Sequence, residues 1–196
     1  MNVNIVGGKK VIVVDDAFDD NVLRKWVDYY PHKPFYNNGV VDSNFEDGQQ
    51  SVNFNSNFPI GDYMNIFPMD YVVSIMKEIH PDVSPKYFYR SYINAIKPYT
   101  NNAGHKDYEG ATPEQFYVVA LWFANPHWDR REGGSISFGE EMELTIQNDW
   151  NRLIVFDATL FHHIQSHHSH LTRLTTYTAF TNTEQGMLDI QGINKW

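Results

Sequence analysis

Nine histidines and no cysteine leave imidazole, carboxylate and hydroxyl as the groups through which this chain could hold a metal or move protons. Iron is often held by two histidines and one carboxylate on a single face, which leaves three coordination positions open. The short form of such a site is His-x-Asp plus a distant histidine, because residues i and i+2 of an extended segment share a face and can aim at one ion. With 9 His and 15 Asp in 196 residues, about 0.7 such triplets would arise by chance, so the motif alone is weak. The chain has three: His80-Pro81-Asp82, His105-Lys106-Asp107 and His127-Trp128-Asp129.

Context separates them. The first ends a helical pattern, where the proline serves as a stop signal. The third sits in the polar stretch 125–134, which reads as a turn between two strands. The second follows a strand and the turn-rich run 98–104 and opens onto the next long strand, a loop rim where a ligand belongs. The distant histidine must come from 156–170, which offers five. Alternation sends His162, Ile164 and Ser166 to one face and His163 and Gln165 to the other, so only one of the adjacent pair can be a ligand. Beyond them, Arg173 opens an otherwise uncharged strand, with the Thr175 hydroxyl on the same face. That arrangement is a natural fork for a carboxylate, or else an ordinary strand-end arginine paired with one of the chain's acids.

The elements that must position these residues are mostly strands. A β-branched run, Val11 to Val14, precedes a helix capped by Asp19 or Asp20, with Val22, Leu23, Trp26, Val27 and Tyr30 at helical spacing and Pro31 as its end. A second helix starts near Pro68 and runs through Met69, Val72, Val73, Met76 and Ile79 to a stop at Pro81. Between them, 35–65 reads as a long loop with one strand around Ser51 to Phe54. Seven short strands follow, at 87–97, 115–124, 135–138, 142–146, 153–156, 162–166 and 173–181, a density that indicates a sandwich, barrel or jelly roll. The two helices are expected to pack outside one sheet. The His167-His168-Ser169-His170 patch reads as an exposed hairpin loop, and the acidic runs at 15–16, 19–20 and 140–141 as solvated faces and caps.

Composition narrows the function. Hydrophobic residues at 42% suffice for one core, so a single domain over 1–196 is expected. A net charge of −9 argues against nucleic acid as a partner, since that affinity comes from Lys and Arg neutralising phosphates. The longest apolar run, Tyr117 to Ala124, is far short of the ~20 residues a membrane helix needs. A cysteine-free chain without a basic, apolar leader fits a cytoplasmic protein. The tail 186–196, with Met187, Leu188, Ile190, Ile193 and Trp196, could dock on this domain or on a second copy.

Taken together, these residues resemble the iron(II)- and 2-oxoglutarate-dependent dioxygenases, in their prolyl 4-hydroxylase-like branch. The likeness covers 87–180 and its pieces occur in family order: Tyr92-Ile93-Asn94, His105-Lys106-Asp107, Phe123-Ala124-Asn125-Pro126-His127-Trp128 with Gly133-Gly134, Asn151 to Asp157, His162, and Arg173-Leu174-Thr175. Four strands separate the two halves of the family's metal motif. Four are expected between Asp107 and His162 but three after Asp129, which favours His105 over His127.

The resemblance implies a mainly β fold, a double-stranded β-helix (cupin-like jelly roll) over about 87–181 with the two N-terminal helices on one sheet. It implies His105, Asp107 and His162 as Fe(II) ligands, with His163 in reserve. It further implies Arg173 and Thr175 on the distal carboxylate of 2-oxoglutarate, Tyr92 and Asn94 in the cosubstrate pocket, and O2 as oxidant. The activity it implies is hydroxylation of an unactivated C–H bond with release of succinate and CO2. A peptidyl proline is the first choice of target, in a groove between 35–65 and the loop at Trp128 to Arg131; a free amino acid or other small molecule is the alternative. Phe123 stands where the family often has tyrosine, so one hydroxyl donor to the cosubstrate is missing. A non-enzymatic jelly roll binding a ligand through exposed aromatics is the rival reading.

Overall fold

The structure, a computed structural model, describes residues 1–33, 36–37, 53–99, 104–109 and 114–182. The chain opens with a hairpin of β1 (Asn2–Val6) and β2 (Lys9–Val14), whose register pairs Val6 with Lys9. The intervening Gly7 and Gly8 have φ of 54° and 78°, the mirror-image turn that matches strand twist and that glycine adopts without steric cost. Sequence reasoning missed β1, although the Gly-Gly pair was its signal. Helix α1 (Asp20–Tyr29) begins where the Asp19 side chain accepts from the Asn21 and Val22 amides, and it gives way to a short 3-10 turn at Pro31. Trp26 on its buried face donates from Nε1 to the Ala124 carbonyl at 3.0 Å, tying the helix to the sheet.

Helix α2 (Ile60–Ile66) lies inside the stretch expected to be loop, and α3 (Met69–Met76) starts after Pro68 as expected but stops one turn short of Ile79. The remaining strands are β3 (Tyr36–Asn37), β4 (Asn53–Asn57), β5 (Phe88–Ile96), β6 (Tyr117–Phe123), β7 (Ile136–Phe138), β8 (Leu144–Ile146), β9 (Leu153–Asp157), β10 (His162–Ile164) and β11 (Arg173–Thr181). The last seven match the expected strands to within two residues at every end. The strand expected at Ser51 lies at β4, with 51–52 outside the described residues; the tail 186–196 also lies outside them.

Two antiparallel sheets form the body: eight strands in the order β1-β2-β9-β6-β11-β5-β4-β3, and three in the order β10-β7-β8. The central strands of the large sheet are buried on both faces. From β6, Val118, Ala120 and Trp122 face α1, α2 and α3, while Tyr117, Val119, Leu121 and Phe123 face Ile136, Phe138, Ile146 and Ile164 around the small sheet. A strand covered on both sides loses apolar alternation, hence the unbroken run that ended the membrane argument above. Strands β6 to β9 lie between Asp107 and His162, the four expected. Among the described residues no helix is long and apolar enough to cross a membrane.

Candidate active site

His105 and His162 form an isolated antiparallel bridge in which each backbone N–H donates to the other's carbonyl at 2.9 Å. This joins the segment after β5 to the first residue of β10 across the jelly-roll mouth. The His162 ring packs against Phe156 and Phe138, with centroids at 5.1 and 6.0 Å. Its Nδ1 lies 3.1 Å from the Leu160 carbonyl. A carbonyl can only accept, so Nδ1 carries the proton and Nε2 presents its lone pair to the site. Burial lowers the His162 pKa despite the opposing pull of Asp107, which keeps the ring in the neutral form a cation needs.

Asp107 sits between the two imidazoles, with Oδ1 at 3.4 Å from His105 Nε2 and Oδ2 at 3.8 Å from His162 Nε2. Its side chain is 9% exposed, against 51% for His105, so the site is open on one side only. Oδ2 is buried without a hydrogen-bond partner. The three ligand atoms lie within 4.8 Å of one another. Two imidazole nitrogens and an unsatisfied buried carboxylate oxygen converging on one point fit a divalent cation, which would remove the desolvation cost of that oxygen. His163 points from the other face of β10 and is not in the cluster.

Deeper in the same interior, Arg173 is fully buried. Its Nε donates to the Gly134 carbonyl at 2.9 Å, whereas Nη1 and Nη2 have no hydrogen-bond partner. Burial alone pushes the guanidinium down to about 9, which still leaves it charged at neutral pH. The Phe123 ring lies 5.1 Å from its Cζ and supplies a π face to the cation. Thr175, also buried, has an unpartnered Oγ1 on the same face. Across the sheet Asn94 pairs with Thr175, and Tyr92 with Tyr177, on which it stacks at 4.6 Å. His105, Asp107, His162, Arg173, Thr175, Tyr92 and Asn94 therefore belong to one side of the large sheet, and His163 does not join them.

The glycine pair is structural. Gly133 has φ 86°, and a Cβ there would lie 2.8 Å from the Ser166 carbonyl oxygen; at Gly134, φ 74°, it would lie 3.1 Å from Arg173 Cδ. Gly133→Ala should therefore destabilise the protein by roughly 2 kcal/mol or more, about 1–2 from the left-handed backbone and the rest from displacing a carbonyl. A thermal melt checks this.

The histidine patch is only half the exposed loop expected, with His168 and His170 exposed and the other two residues buried. His167 is fully buried, its Nε2 3.1 Å from the Ile96 carbonyl and its ring 5.1 Å from that of Trp128, and Ser169 is buried too. Burial lowers the His167 pKa. Between that lowered value and the ordinary 6.5 the unfolded chain binds more protons than the folded one, so stability should fall as pH drops through this window, by up to about 1.4 kcal/mol per pH unit per group. Melting midpoints at pH 7.5 and 5.0 should differ less in His167→Gln than in wild type.

The other motifs are structural. His80 stacks on Phe116 at 4.5 Å, and Asp129 caps its own turn and pairs with Arg131. The His127–Arg130 loop borders an open cleft of about 800 Å³ with Asp15, Asp16, Asp149, Trp150 and Arg152, whose lining includes none of His105, Asp107 and His162. The other wall of the expected peptide groove falls largely outside the described residues. Sequence reasoning also missed Tyr117, Tyr177 and Arg90 in the interior; strand alternation from Tyr92 to Arg90 was the available signal.

No family profile matches the chain, and no curated protein matches it. Among solved structures it is similar to a prolyl hydroxylase from Trichoplax adhaerens in complex with a peptide fragment of the hypoxia inducible factor oxygen degradation domain (TM-score 0.60, 14% identity, 91% of this chain and 86% of that one). It is also similar to HygX from Streptomyces hygroscopicus with nickel and 2-oxoglutarate bound (0.64, 9%, 89% and 83%). A third is a prolyl-4-hydroxylase from Pseudomonas putida (0.59, 11%, 87% and 91%). The chain has the jelly-roll fold of these 2-oxoglutarate-Fe(II) oxygenases.

Proposed function

We propose that this chain, as one catalytic domain over 1–196, is an iron(II)- and 2-oxoglutarate-dependent dioxygenase that hydroxylates an unactivated C–H bond. One oxygen atom of O2 would enter the substrate and the other the succinate released with CO2. The observation that carries the reading is the coexistence, in one interior, of a three-donor cation site and a buried guanidinium with two unpaired nitrogens.

His105, Asp107 and His162 would hold Fe(II), and Arg173 the distal carboxylate of 2-oxoglutarate, with Thr175 Oγ1 as a further donor. Iron and cosubstrate together supply the activation of O2 and the oxidising power. The chain's own task is geometry and dryness. The Leu160 carbonyl fixes the His162 tautomer, and Phe138 and Phe156 keep water from its ring. Phe123 keeps polar solvent from the guanidinium, which strengthens its attraction for an anion. One aspartate on a divalent ion leaves positive charge for a dianionic cosubstrate to balance. Tyr92 and Asn94 line the same pocket.

For the target, likeness to prolyl hydroxylases supports a peptidyl proline, and likeness to HygX, also solved with hygromycin B bound, supports a small molecule. Adding Fe(II) and 2-oxoglutarate under anaerobic conditions should produce a weak visible charge-transfer band. A featureless spectrum from folded protein would instead favour a non-enzymatic jelly roll. A screen of peptides and metabolites that follows succinate then identifies the substrate.

A further inference from the structure

A second guanidinium faces the interior at the end away from Arg173. Arg90 precedes Tyr92 and Asn94 on β5, at the two-residue steps that share a face. Register sets it opposite Ala179, six positions along β11 from Arg173, or roughly 20 Å at the rise of a strand. The pairing shifts just there, Phe180 meeting Phe88, which leaves Tyr89 as the extra residue of a bulge and turns it inward toward Tyr117. Arg90 Cζ thus lies 5.1, 5.5 and 5.4 Å from the rings of Tyr89, Tyr92 and Tyr177.

Among the described residues this cation has no carboxylate of its own. None of the ion pairs among the described residues involves Arg90, and its Nε is buried without a hydrogen-bond partner. The phenols of Tyr92, Tyr117 and Tyr177 lie near enough to both Arg90 and Asp107 to interact electrostatically with each, and Tyr108, the residue after Asp107, stacks on Tyr117 with ring centroids 5.2 Å apart. Burial raises all three phenol pKa values, so the rings are neutral at physiological pH and offer π faces and hydroxyls rather than a counter-charge.

We propose that Arg90, framed by Tyr89, Tyr92 and Tyr177, binds the carboxylate of the molecule to be oxidised, which makes the substrate a small organic acid or free amino acid with its target carbon between Arg90 and the cation site. The inference rests on the dioxygenase reading and selects the small-molecule branch of it. The guanidinium fork suits a planar carboxylate, and the tyrosine rings suit an apolar carbon skeleton beside it. A peptidyl proline has no carboxylate at that point and would leave the charge unmet.

The test uses protein loaded with zinc(II), a redox-inert stand-in, and 2-oxoglutarate. Free amino acids and three- to six-carbon acids, each beside its primary amide, are titrated by ligand-observed NMR, together with an N-acetylated, C-amidated proline peptide. At least one acid should bind, its amide at least tenfold more weakly. Arg90→Gln should weaken that acid at least tenfold, Arg90→Lys should restore part of the loss, and 2-oxoglutarate affinity should move less than twofold. The proposal is overturned if no acid binds, if acid and amide bind alike, if Arg90→Gln leaves the acid's affinity intact, or if only the capped peptide binds. Failure of the wild type to bind zinc and 2-oxoglutarate would instead remove the dioxygenase reading, and the same titration of metal-free protein would still decide the role of Arg90.

Discussion

Asp107→Ala should abolish both metal binding and turnover while leaving the metal-free protein at least as stable as wild type. The two effects have one cause. Asp107 Oδ2 is buried without a hydrogen-bond partner, an arrangement that costs about 1–3 kcal/mol in a folded protein when nothing pays for it. Removing the carboxylate removes that cost, and the small cavity left behind offsets part of the gain. A divalent ion reverses the balance. At a hundredfold excess over its dissociation constant it should stabilise wild type by about 2.7 kcal/mol and the variant not at all. Thermal melts with and without manganese(II) or nickel(II) separate the cases. A variant that melts lower than wild type without metal, yet keeps the metal-induced rise, would show that Asp107 is a structural acid.

The triad was legible because its parts obey local rules. An extended His-x-Asp needs only strand alternation to converge, and His162 opens a strand that a turn and β-branched neighbours announce. Arg173 and Thr175 were legible for the same reason. What the sequence concealed depends on partners far along the chain. His167 looked like part of a polar hairpin loop, yet the Ile96 carbonyl and the Trp128 ring enclose it. Helix α2 was hidden in a stretch rich in Asn and Gly, because its stability comes from Tyr63 and Ile66 packing into an aromatic cluster with Phe58 and Phe67, not from propensity. Arg90 escaped notice because a lone arginine among tyrosines on a strand reads as surface, and only the bulge at Tyr89 and the stacking of Tyr92 on Tyr177 turn that group into a pocket.

Arg173→Met carries the second large effect, and its direction also differs between the free and the loaded protein. In the free protein the guanidinium is fully buried with two nitrogens unpaired, held by one hydrogen bond to Gly134 and the face of Phe123. Methionine fills similar space without a charge to desolvate, so the folded state should lose little stability or gain some. Affinity for 2-oxoglutarate should fall by about 2–5 kcal/mol, roughly 30- to 5,000-fold, because the incoming carboxylate would be buried without its partner. Arg173→Lys keeps the charge but not the fork and should fall between the two. Calorimetric titration with 2-oxoglutarate reads all three proteins. If Arg173→Met bound the cosubstrate as tightly as wild type, the distal carboxylate would have to be held elsewhere. Arg90, the other guanidinium in that interior, would then become the candidate cosubstrate anchor, and the assignment of a substrate acid to it would fail as well.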